Sequence, residues 1–228
     1  MKAPPASAGV FLTTPALAKG TLAPSAAQIE RYAEAGTLRL EQALEPGLAA
    51  ELQTLFSKLP IGVNGTPSQR WEGIDFGSRI VMSETIDPQV VEPLYRAQRL
   101  ADQDLPALLR ALTGRAWVSA TPGQYWLRMY CKGSWREPRW EVEPEGVAWE
   151  LQLSATWPAE WGGHLEVRRA PSGDPLEVRP PGFDALDLFA PGPAAPRGRI
   201  PLVTRAVQRV SLTGLLLPAE EDPCSPQS

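Results

Sequence analysis

Five strand-like segments between Trp149 and Leu217 decide the fold of this chain. In these segments apolar residues alternate with polar ones or form short runs, which indicates β-strands, and glycine- and proline-rich turns separate them. The segments are WELQLSATW (149–157), GGHLEVRR (162–169), DALDLF (184–189), IPLV (200–203) and QRVSLTGLLL (208–217). The alternation begins at Arg115, so the C-terminal half is predicted to form a sheet of about eight strands.

The N-terminal half has the three- and four-residue spacing of helices. Its first predicted helix has the clearest limits, because Ser25 and Gln28 are spaced as a capping box and Gly36 can take the left-handed conformation that ends a helix. The further predicted elements are a strand at 37–42, a helix at 46–59, a strand within 71–82, and a long helix from 87 that Pro106 restarts and Gly114 ends. Helices packed on a C-terminal sheet predict an α+β domain built on a β-sandwich or barrel.

The composition argues against several kinds of partner. The 228 residues include 22 basic and 26 acidic side chains, for a formal net charge of −4, and neither sign forms a block. Nucleic acid and anionic membranes attract basic patches, so neither is expected as a partner. No apolar run approaches the roughly 20 residues of a spanning helix, and the two distant cysteines, Cys131 and Cys224, fit a reducing compartment. We expect a soluble cytoplasmic protein, and the sequence leaves its oligomeric state open.

Both ends of the chain are predicted to be tails around a single domain. Residues 1–24 are rich in Ala, Pro, Ser and Thr, and their apolar stretch is too interrupted for an export signal. Residues 218–228 are polar and contain prolines. The single predicted domain therefore spans residues 25–217.

In this order, the strand segments resemble those of the 2-oxoglutarate/Fe(II)-dependent dioxygenases of the prolyl-hydroxylase type. The matching stretches are YCKGSW (130–135), WELQLSATW (149–157), GGHLE (162–166), ALDLF (185–189) and RVSLTG (209–214). The resemblance runs from Leu38 to Leu217 and includes the strand-then-helix entrance RLEQALEPGLAAELQTLF (39–56). It implies a double-stranded β-helix, or jelly roll, with supporting N-terminal helices on one face.

Dioxygenases of this type hold a ferrous ion with two histidines and one carboxylate. The resemblance places their His-x-Asp pair at Arg139 and Glu141, and their second histidine at or next to Gly198. Arginine has no lone pair to donate and glycine has no side chain, so only Glu141 of the three can bind a metal. The resemblance therefore implies a degenerate metal triad, and no cofactor is expected, iron included.

His164 is the only histidine of the chain, so no alignment can produce a two-histidine triad. It shares one face of a predicted strand with Glu166, an arrangement that permits a metal pair. The favoured alternative is a histidine at the surface or rim, since isolated His-x-Glu pairs on strands are mostly solvated.

Arg209 and Ser211 resemble the pair that holds the distal carboxylate of 2-oxoglutarate in these enzymes. Because they are two residues apart on a strand, they share one face, and a guanidinium and a hydroxyl both donate to a carboxylate. Tyr130, with Tyr125 or Trp126 beside it, is a candidate to complete this site. The ligand that the pair would accept is 2-oxoglutarate or a similar dicarboxylate.

An internal carboxylate is the alternative partner for Arg209, because a buried guanidinium needs a partner. The candidates are Glu150, Asp184, Asp187 and Glu141. A related hypothesis is that Arg139, Glu141, Arg199 and Arg209 form an ion-pair cluster that fills and closes the former metal site.

Two classes of function remain open from the sequence. The favoured one is a non-catalytic member of the dioxygenase superfamily, a pseudoenzyme that binds a peptide, a proline-rich segment or a partner subunit. The alternative is an enzyme that uses the same pocket, either an oxygenase with an atypical metal site built on His164 or a metal-independent activity on a small carboxylate or peptide. Glu141 and Tyr130 are then the acid–base candidates, together with Arg209. A sugar-binding or capsid-like jelly roll shares only the architecture and ranks last.

Overall fold

The structure is a computed structural model of the whole chain. It describes residues 14–58, 74–77, 88–123, 125–130, 132–138, 145–154, 157–205 and 209–220. The degenerate positions Arg139 and Glu141 and both cysteines lie outside these ranges.

Helix α2 forms as its sequence predicts. It spans Ala26–Ala35, and both hydrogen bonds of the capping box between Ser25 and Gln28 are present. Gly36 ends it with φ of 68°, a left-handed conformation that suits glycine. Strand β1, Thr37–Glu41, follows directly, so the cap also fixes where the sheet begins.

The remaining helices lie on one side of the sheet. They are α1 (Lys19–Leu22), α3 (Leu48–Lys58), α4 (Pro88–Arg99) and α5 (Leu105–Thr113). As predicted, a helix restarts at Leu105 with Pro106 in its first turn and ends at Gly114, and a π-helical turn, Leu100–Asp104, joins α4 to it without a break. Proline has no N–H for the helical ladder, and a wider turn absorbs that loss without interrupting the helix.

Ten strands form two antiparallel sheets in the described part of the chain. Their ranges are β1 (Thr37–Glu41), β2 (Ile74–Gly77), β3 (Trp117–Ser119), β4 (Trp126–Tyr130), β5 (Val147–Leu153), β6 (Leu165–Arg168), β7 (Glu177–Arg179), β8 (Phe183–Phe189), β9 (Arg197–Arg199) and β10 (Arg209–Pro218). The large sheet has the order β1-β8-β5-β10-β4-β2, with β3 also paired to β10, and the small sheet has the order β7-β6-β9. Two facing antiparallel sheets with helices on the outer face confirm the predicted α+β jelly roll.

Two apolar clusters hold these layers together. The larger one lies between the helices and the outer face of the large sheet, where Leu105 and Leu109 of α5 and Trp149 and Leu151 of β5 are buried. The smaller one lies between the two sheets and includes Tyr130. The space between the sheets is therefore only partly filled by apolar side chains, and polar side chains and a cavity take up the rest.

The structure corrects the predicted boundary of the N-terminal tail. Ala16 and Leu17 are fully buried, and both donate their backbone N–H groups to the Asp104 carboxylate, at 2.6 and 3.1 Å. Arg99 pairs with the other oxygen of that carboxylate at 3.2 Å. Residues 14–24 thus belong to the folded domain, because a carboxylate almost 90 positions away satisfies their backbone. The predicted C-terminal tail lies outside the described residues from position 221 onward.

No helix in the described ranges is long and apolar enough to cross a membrane.

Candidate functional site: a carboxylate enclosed by arginines

Buried polar side chains line the face of the large sheet that turns toward the small sheet. On β5, Trp149 and Leu151 point into the helix-side core, so Glu150 and Gln152 point between the sheets. In the strand register Glu150 lies opposite Thr213 of β10, which places Arg209 and Ser211 on the same inner face. The alternation of the strands therefore brings an arginine, a serine and a glutamate together between the sheets.

The Glu150 carboxylate is the centre of this group. Arg209 Nη1 donates to its Oε1 at 2.9 Å, and the Ser211 hydroxyl donates to the same oxygen at 3.0 Å. Arg136 Nη2 donates to the other oxygen, Oε2, at 3.0 Å. Arg209 itself is fully buried, and its guanidinium lies over the Tyr130 ring, 5.1 Å from the ring centre. Of the carboxylates considered for Arg209 that the structure describes, Glu150 is the one placed against it.

Positive charge keeps the Glu150 carboxylate ionised. Burial by itself raises the pKa of this carboxyl group. The charges of Arg136, Arg209 and Arg128 and the hydrogen bond from Ser211 outweigh burial and hold the pKa well below its usual range. Glu150 is therefore an anion at any working pH, and it behaves as a bound carboxylate ligand rather than as an acid–base group.

A second buried carboxylate lies one strand away. Asp187 of β8 is opposite Glu150 in the register and is fully buried. Arg179 Nη1 of β7 donates to its Oδ1 at 2.8 Å, and Arg39 of β1 lies 3.7 Å from its Oδ2. Because Arg179 comes from the small sheet, this ion pair joins the two sheets across the interior.

A cavity of about 660 Å³ lies beside Glu150. Its apolar walls include Trp126, Phe189, Pro138 and Pro196. Its charged walls are Arg128, Arg136, Arg197, Glu137 and Glu150. Its volume is in the usual range for a site that holds a small molecule or a few residues of a peptide.

The aromatic residues predicted near Arg209 divide between the two faces of the sheet. Tyr130 and Trp126 line the cavity, as their shared face on β4 requires. Tyr125 is buried in the helix-side core and does not face the cavity. Of the two acid–base candidates, Tyr130 is therefore placed at the cavity, and Glu141 lies outside the described residues.

Of the three degenerate metal positions, Gly198 is the one in the described part of the chain. Gly198 of β9 lines the cavity, where a Cβ would lie 2.8 Å from Leu165 Cδ1 and 3.2 Å from Arg136 Nη2. His164 is half-buried and lies just before β6, outside the strand on which it was predicted to share a face with Glu166. Glu166 itself pairs with Arg168 at 2.7 Å. Among the described residues, no group of three or more His, Cys, Asp and Glu side chains is placed to hold a metal ion.

Of the predicted ion-pair cluster, Arg199 and Arg209 lie in the described residues, and they do not share a partner there, while Arg139 and Glu141 lie outside them. Arg199 pairs with Glu137 and Glu166 at the edge of the small sheet, whereas Arg209 pairs with Glu150. Among the described residues, the cluster around Glu150 lies beside the cavity and does not fill it.

Asp184, another carboxylate considered for Arg209, has a different role. Its Oδ1 accepts the backbone N–H of Leu44 at 2.9 Å, and its backbone has φ of 59°. Burial raises the pKa of Asp184 from 3.8 to about 6, against the lowering effect of its backbone hydrogen bonds. The unfolded state therefore loses this proton at a lower pH than the folded state does, and stability falls as the pH rises from about 4 to about 6.

Asp184→Asn is accordingly expected to stabilise the protein at neutral pH. Asparagine keeps the acceptor for Leu44 and tolerates a positive φ, but it carries no charge that resists burial. Because Asp184 is half-buried, we expect a gain of about 1–2 kcal/mol in the free energy of unfolding at pH 7.5. Urea unfolding at pH 7.5 and at pH 4 measures it, and the gain should vanish at the lower pH. An equal gain at both pH values would contradict this interpretation.

Arg136 and Arg128 are the site residues that sequence reasoning missed. Arg136 follows β4 in a segment that makes a single bridge to Ile200, so no strand period marks it. Arg128 lies opposite Ser211 in the register of β4 and β10. A period-two reading of β4 places Arg128 between Trp126 and Tyr130 on one face, and that was the available signal.

Comparisons with known proteins identify the fold. No family model and no curated protein matches the sequence. Solved structures do match. A Pseudomonas putida prolyl-4-hydroxylase is 17% identical over 87% of this chain and 99% of its own, with a TM-score of 0.55. A Trichoplax adhaerens prolyl hydroxylase in complex with a hypoxia-inducible-factor peptide fragment is 17% identical over 84% of this chain and 87% of its own, with a TM-score of 0.60.

A third match, HygX from Streptomyces hygroscopicus, bears on cofactors. One of its structures contains nickel and 2-oxoglutarate, at 11% identity over 87% of this chain and 88% of its own, with a TM-score of 0.59. Another contains iron. These structures contradict the expectation that no cofactor is bound, iron included, because proteins of the same fold bind a metal and 2-oxoglutarate. The predicted resemblance to the 2-oxoglutarate/Fe(II) oxygenases, prolyl hydroxylases among them, is confirmed for the fold.

Proposed function

We propose that this chain is a non-catalytic relative of the prolyl-hydroxylase-type oxygenases that binds a peptide segment of a partner protein. The observation that carries the proposal is the Glu150 carboxylate bound by Arg209 and Ser211. The resemblance assigns this arginine–serine pair to the distal carboxylate of 2-oxoglutarate. In this chain a side chain of the protein itself occupies both donors.

The sequence supports the loss of the catalytic set. The chain contains one histidine, so the two-histidine, one-carboxylate triad cannot form. Arg139 and Gly198 stand where the resemblance places the two histidines; the arginine side chain has no lone pair for a metal, and glycine has no side chain. A fold that keeps its architecture while it changes these positions is expected to serve binding rather than oxidation.

The cavity beside Glu150 supports a peptide as the ligand. Trp126 is 38% exposed at the cavity, and large, partly exposed aromatic side chains are typical anchors for a binding partner. Among the described residues, three arginines line the cavity against two carboxylates, so a segment that carries an acidic side chain is favoured. The Trichoplax prolyl hydroxylase is in complex with a peptide fragment, which makes peptide binding a known use of this fold.

Filling the cavity is expected to abolish peptide binding. Ala148 is an exposed residue of β5 that lines the cavity, so Ala148→Trp blocks it without disturbing the buried core. Peptides selected from a random library displayed on phage should bind the unmodified chain and lose about tenfold or more in affinity for the variant. The control is Leu176→Trp, at a residue that is 58% exposed beside β7, and it should leave binding unchanged.

Two outcomes would contradict the proposal. One is a selection that enriches no peptide, or peptides that bind both variants equally. The other is catalysis: the chain would be incubated with Fe(II), 2-oxoglutarate, ascorbate and the selected peptides, and succinate would be measured. Succinate that forms only when the chain is present would establish an oxygenase.

A further inference from the structure

We infer that Arg209, Ser211 and Arg136 form a carboxylate-binding site that Glu150 occupies from within the protein, and that this site accepts a free short carboxylate once Glu150 is shortened. The inference goes beyond the proposed function, because it names the chemistry of the occupied donors. It rests on the geometry around Glu150 and not on peptide binding or on the absence of catalysis.

The three donors have the arrangement of a ligand site. Two of them, Arg209 Nη1 and the Ser211 hydroxyl, donate to one carboxylate oxygen at 2.9 and 3.0 Å, and Arg136 donates to the other at 3.0 Å. Arg209 and Ser211 are both fully buried. Both oxygens of the carboxylate are thus bound by donors that come from two separate segments, as they would be for a bound anion.

The covalent attachment of Glu150 to β5 explains why this side chain occupies the site in the unmodified protein. A carboxylate carried on β5, directly beside β10, has a far higher effective concentration at the donors than a free acid in solution has. A free carboxylate at millimolar concentration is therefore expected to leave the native protein unaffected. Glu150 also lines the cavity, so a small molecule can reach the donors once this side chain is removed.

The charge and the size of the site define its ligand. The pKa of Glu150 is held low by Arg136, Arg209 and Arg128, so the site favours an anion over a neutral molecule of the same shape. Glutamate-to-alanine replacement removes one methylene and the carboxylate, which together have the size of acetate. A monocarboxylate of that size is the class of ligand that restores the lost contacts without overpacking.

Thermal unfolding of the full chain tests the inference. The Glu150→Ala variant is expected to gain about 3–5 °C in Tm in 50 mM sodium acetate relative to 50 mM sodium chloride, with saturation at higher acetate. The unmodified protein should change by less than about 1 °C under the same conditions. Acetamide, which has the shape of acetate without its charge, should stabilise neither protein.

A matched variant separates site filling from general salt effects. Leu151→Ala removes a fully buried apolar side chain next to Glu150, on the opposite face of β5, and acetate should not raise its Tm. If Glu150→Ala does not fold in chloride, circular dichroism should show that it folds in acetate and not in acetamide. The inference is wrong if Glu150→Ala responds to acetate no more than Leu151→Ala does, or does not fold in acetate. Peptide binding by the native chain is unaffected by either result, so the two proposals fail separately.

Discussion

Glu150→Met should lower the free energy of unfolding by about 3–5 kcal/mol, because it leaves a buried arginine without its carboxylate. Methionine matches the length of glutamate, so the change removes the charge and both acceptors with little change in volume. Arg209 is fully buried, and its Nε and Nη2 atoms have no hydrogen-bond partner among the described residues. Its Nη1 bond to Glu150 is the ion pair that compensates its burial. Urea unfolding at pH 7.5 measures the loss.

A double-mutant cycle shows whether the loss belongs to the ion pair. Arg209→Met alone should cost less than Glu150→Met, because Arg136 still binds the Glu150 carboxylate at 3.0 Å. The double variant should lose less than the sum of the single changes by about 1–3 kcal/mol, since it leaves no unpaired charge between Arg209 and Glu150. Additive losses would show that Arg209 and Glu150 are not energetically coupled.

Glu177→Met is the matched control for the buried pair. Glu177 binds Arg179 at 2.7 Å, but its side chain is 41% exposed, and Arg179 keeps its bond to Asp187. Exposed ion pairs contribute little, so this change should cost less than about 1 kcal/mol. A Glu177→Met loss as large as that of Glu150→Met would mean that burial does not set the strength of these pairs.

Local sequence signals predicted the elements that have local causes. The capping box at Ser25 and the left-handed Gly36 fixed both ends of α2, because each requires a residue type within one turn of the helix. The period-two pattern located β5 and β10, whose alternate residues face the helices. The resemblance then ordered these elements into a jelly roll, which the structure confirms.

Local sequence signals could not predict contacts between segments that are far apart in the chain. Nothing near Ala16 and Leu17 in sequence indicates that Asp104 binds their backbone, so a buried segment was predicted to be a tail. The partner of Arg209 was open for a similar reason. Several carboxylates were available, and the choice of Glu150 depends on the register between β5 and β10, which a single sequence does not specify.

The two faces of β5 explain why the site and the core can share one strand. Leu151 packs against the helices, and one residue earlier Glu150 enters the space between the sheets. Successive side chains of a strand point to opposite faces of the sheet, so a charged residue directly next to a core residue lies outside the apolar layer. The arginines that meet Glu150 come from β10 and from the segment after β4, and closure of the jelly roll is what brings them together.

Gly162→Ala should lower the free energy of unfolding by about 3 kcal/mol or more, because both the backbone conformation and a close backbone contact at this position require glycine. Gly162 has φ of 68° and ψ of −157°, a backbone conformation that is almost restricted to glycine. A Cβ at this position would also lie 2.1 Å from the backbone oxygen of Leu202, which cannot rotate away. The Gly162 carbonyl accepts the Trp157 Nε1 hydrogen bond at 2.7 Å, so a shift of this segment also disturbs the apolar cluster between the sheets.

Differential scanning calorimetry can separate the steric effect at Gly162 from the cost of an unusual φ. For a domain of this size, the loss corresponds to a Tm lower by roughly 6–12 °C. Gly173→Ala is the matched control, since Gly173 has φ of 91° but no atom within 4 Å of an added Cβ. It should cost only about 1 kcal/mol, the strain of the backbone alone. Equal losses at both glycines would show that the close approach of Gly162 to Leu202 does not hold this segment in place. The segment lies beside Arg209, whose Cδ is 3.9 Å from the position that a Cβ added to Gly163 would take.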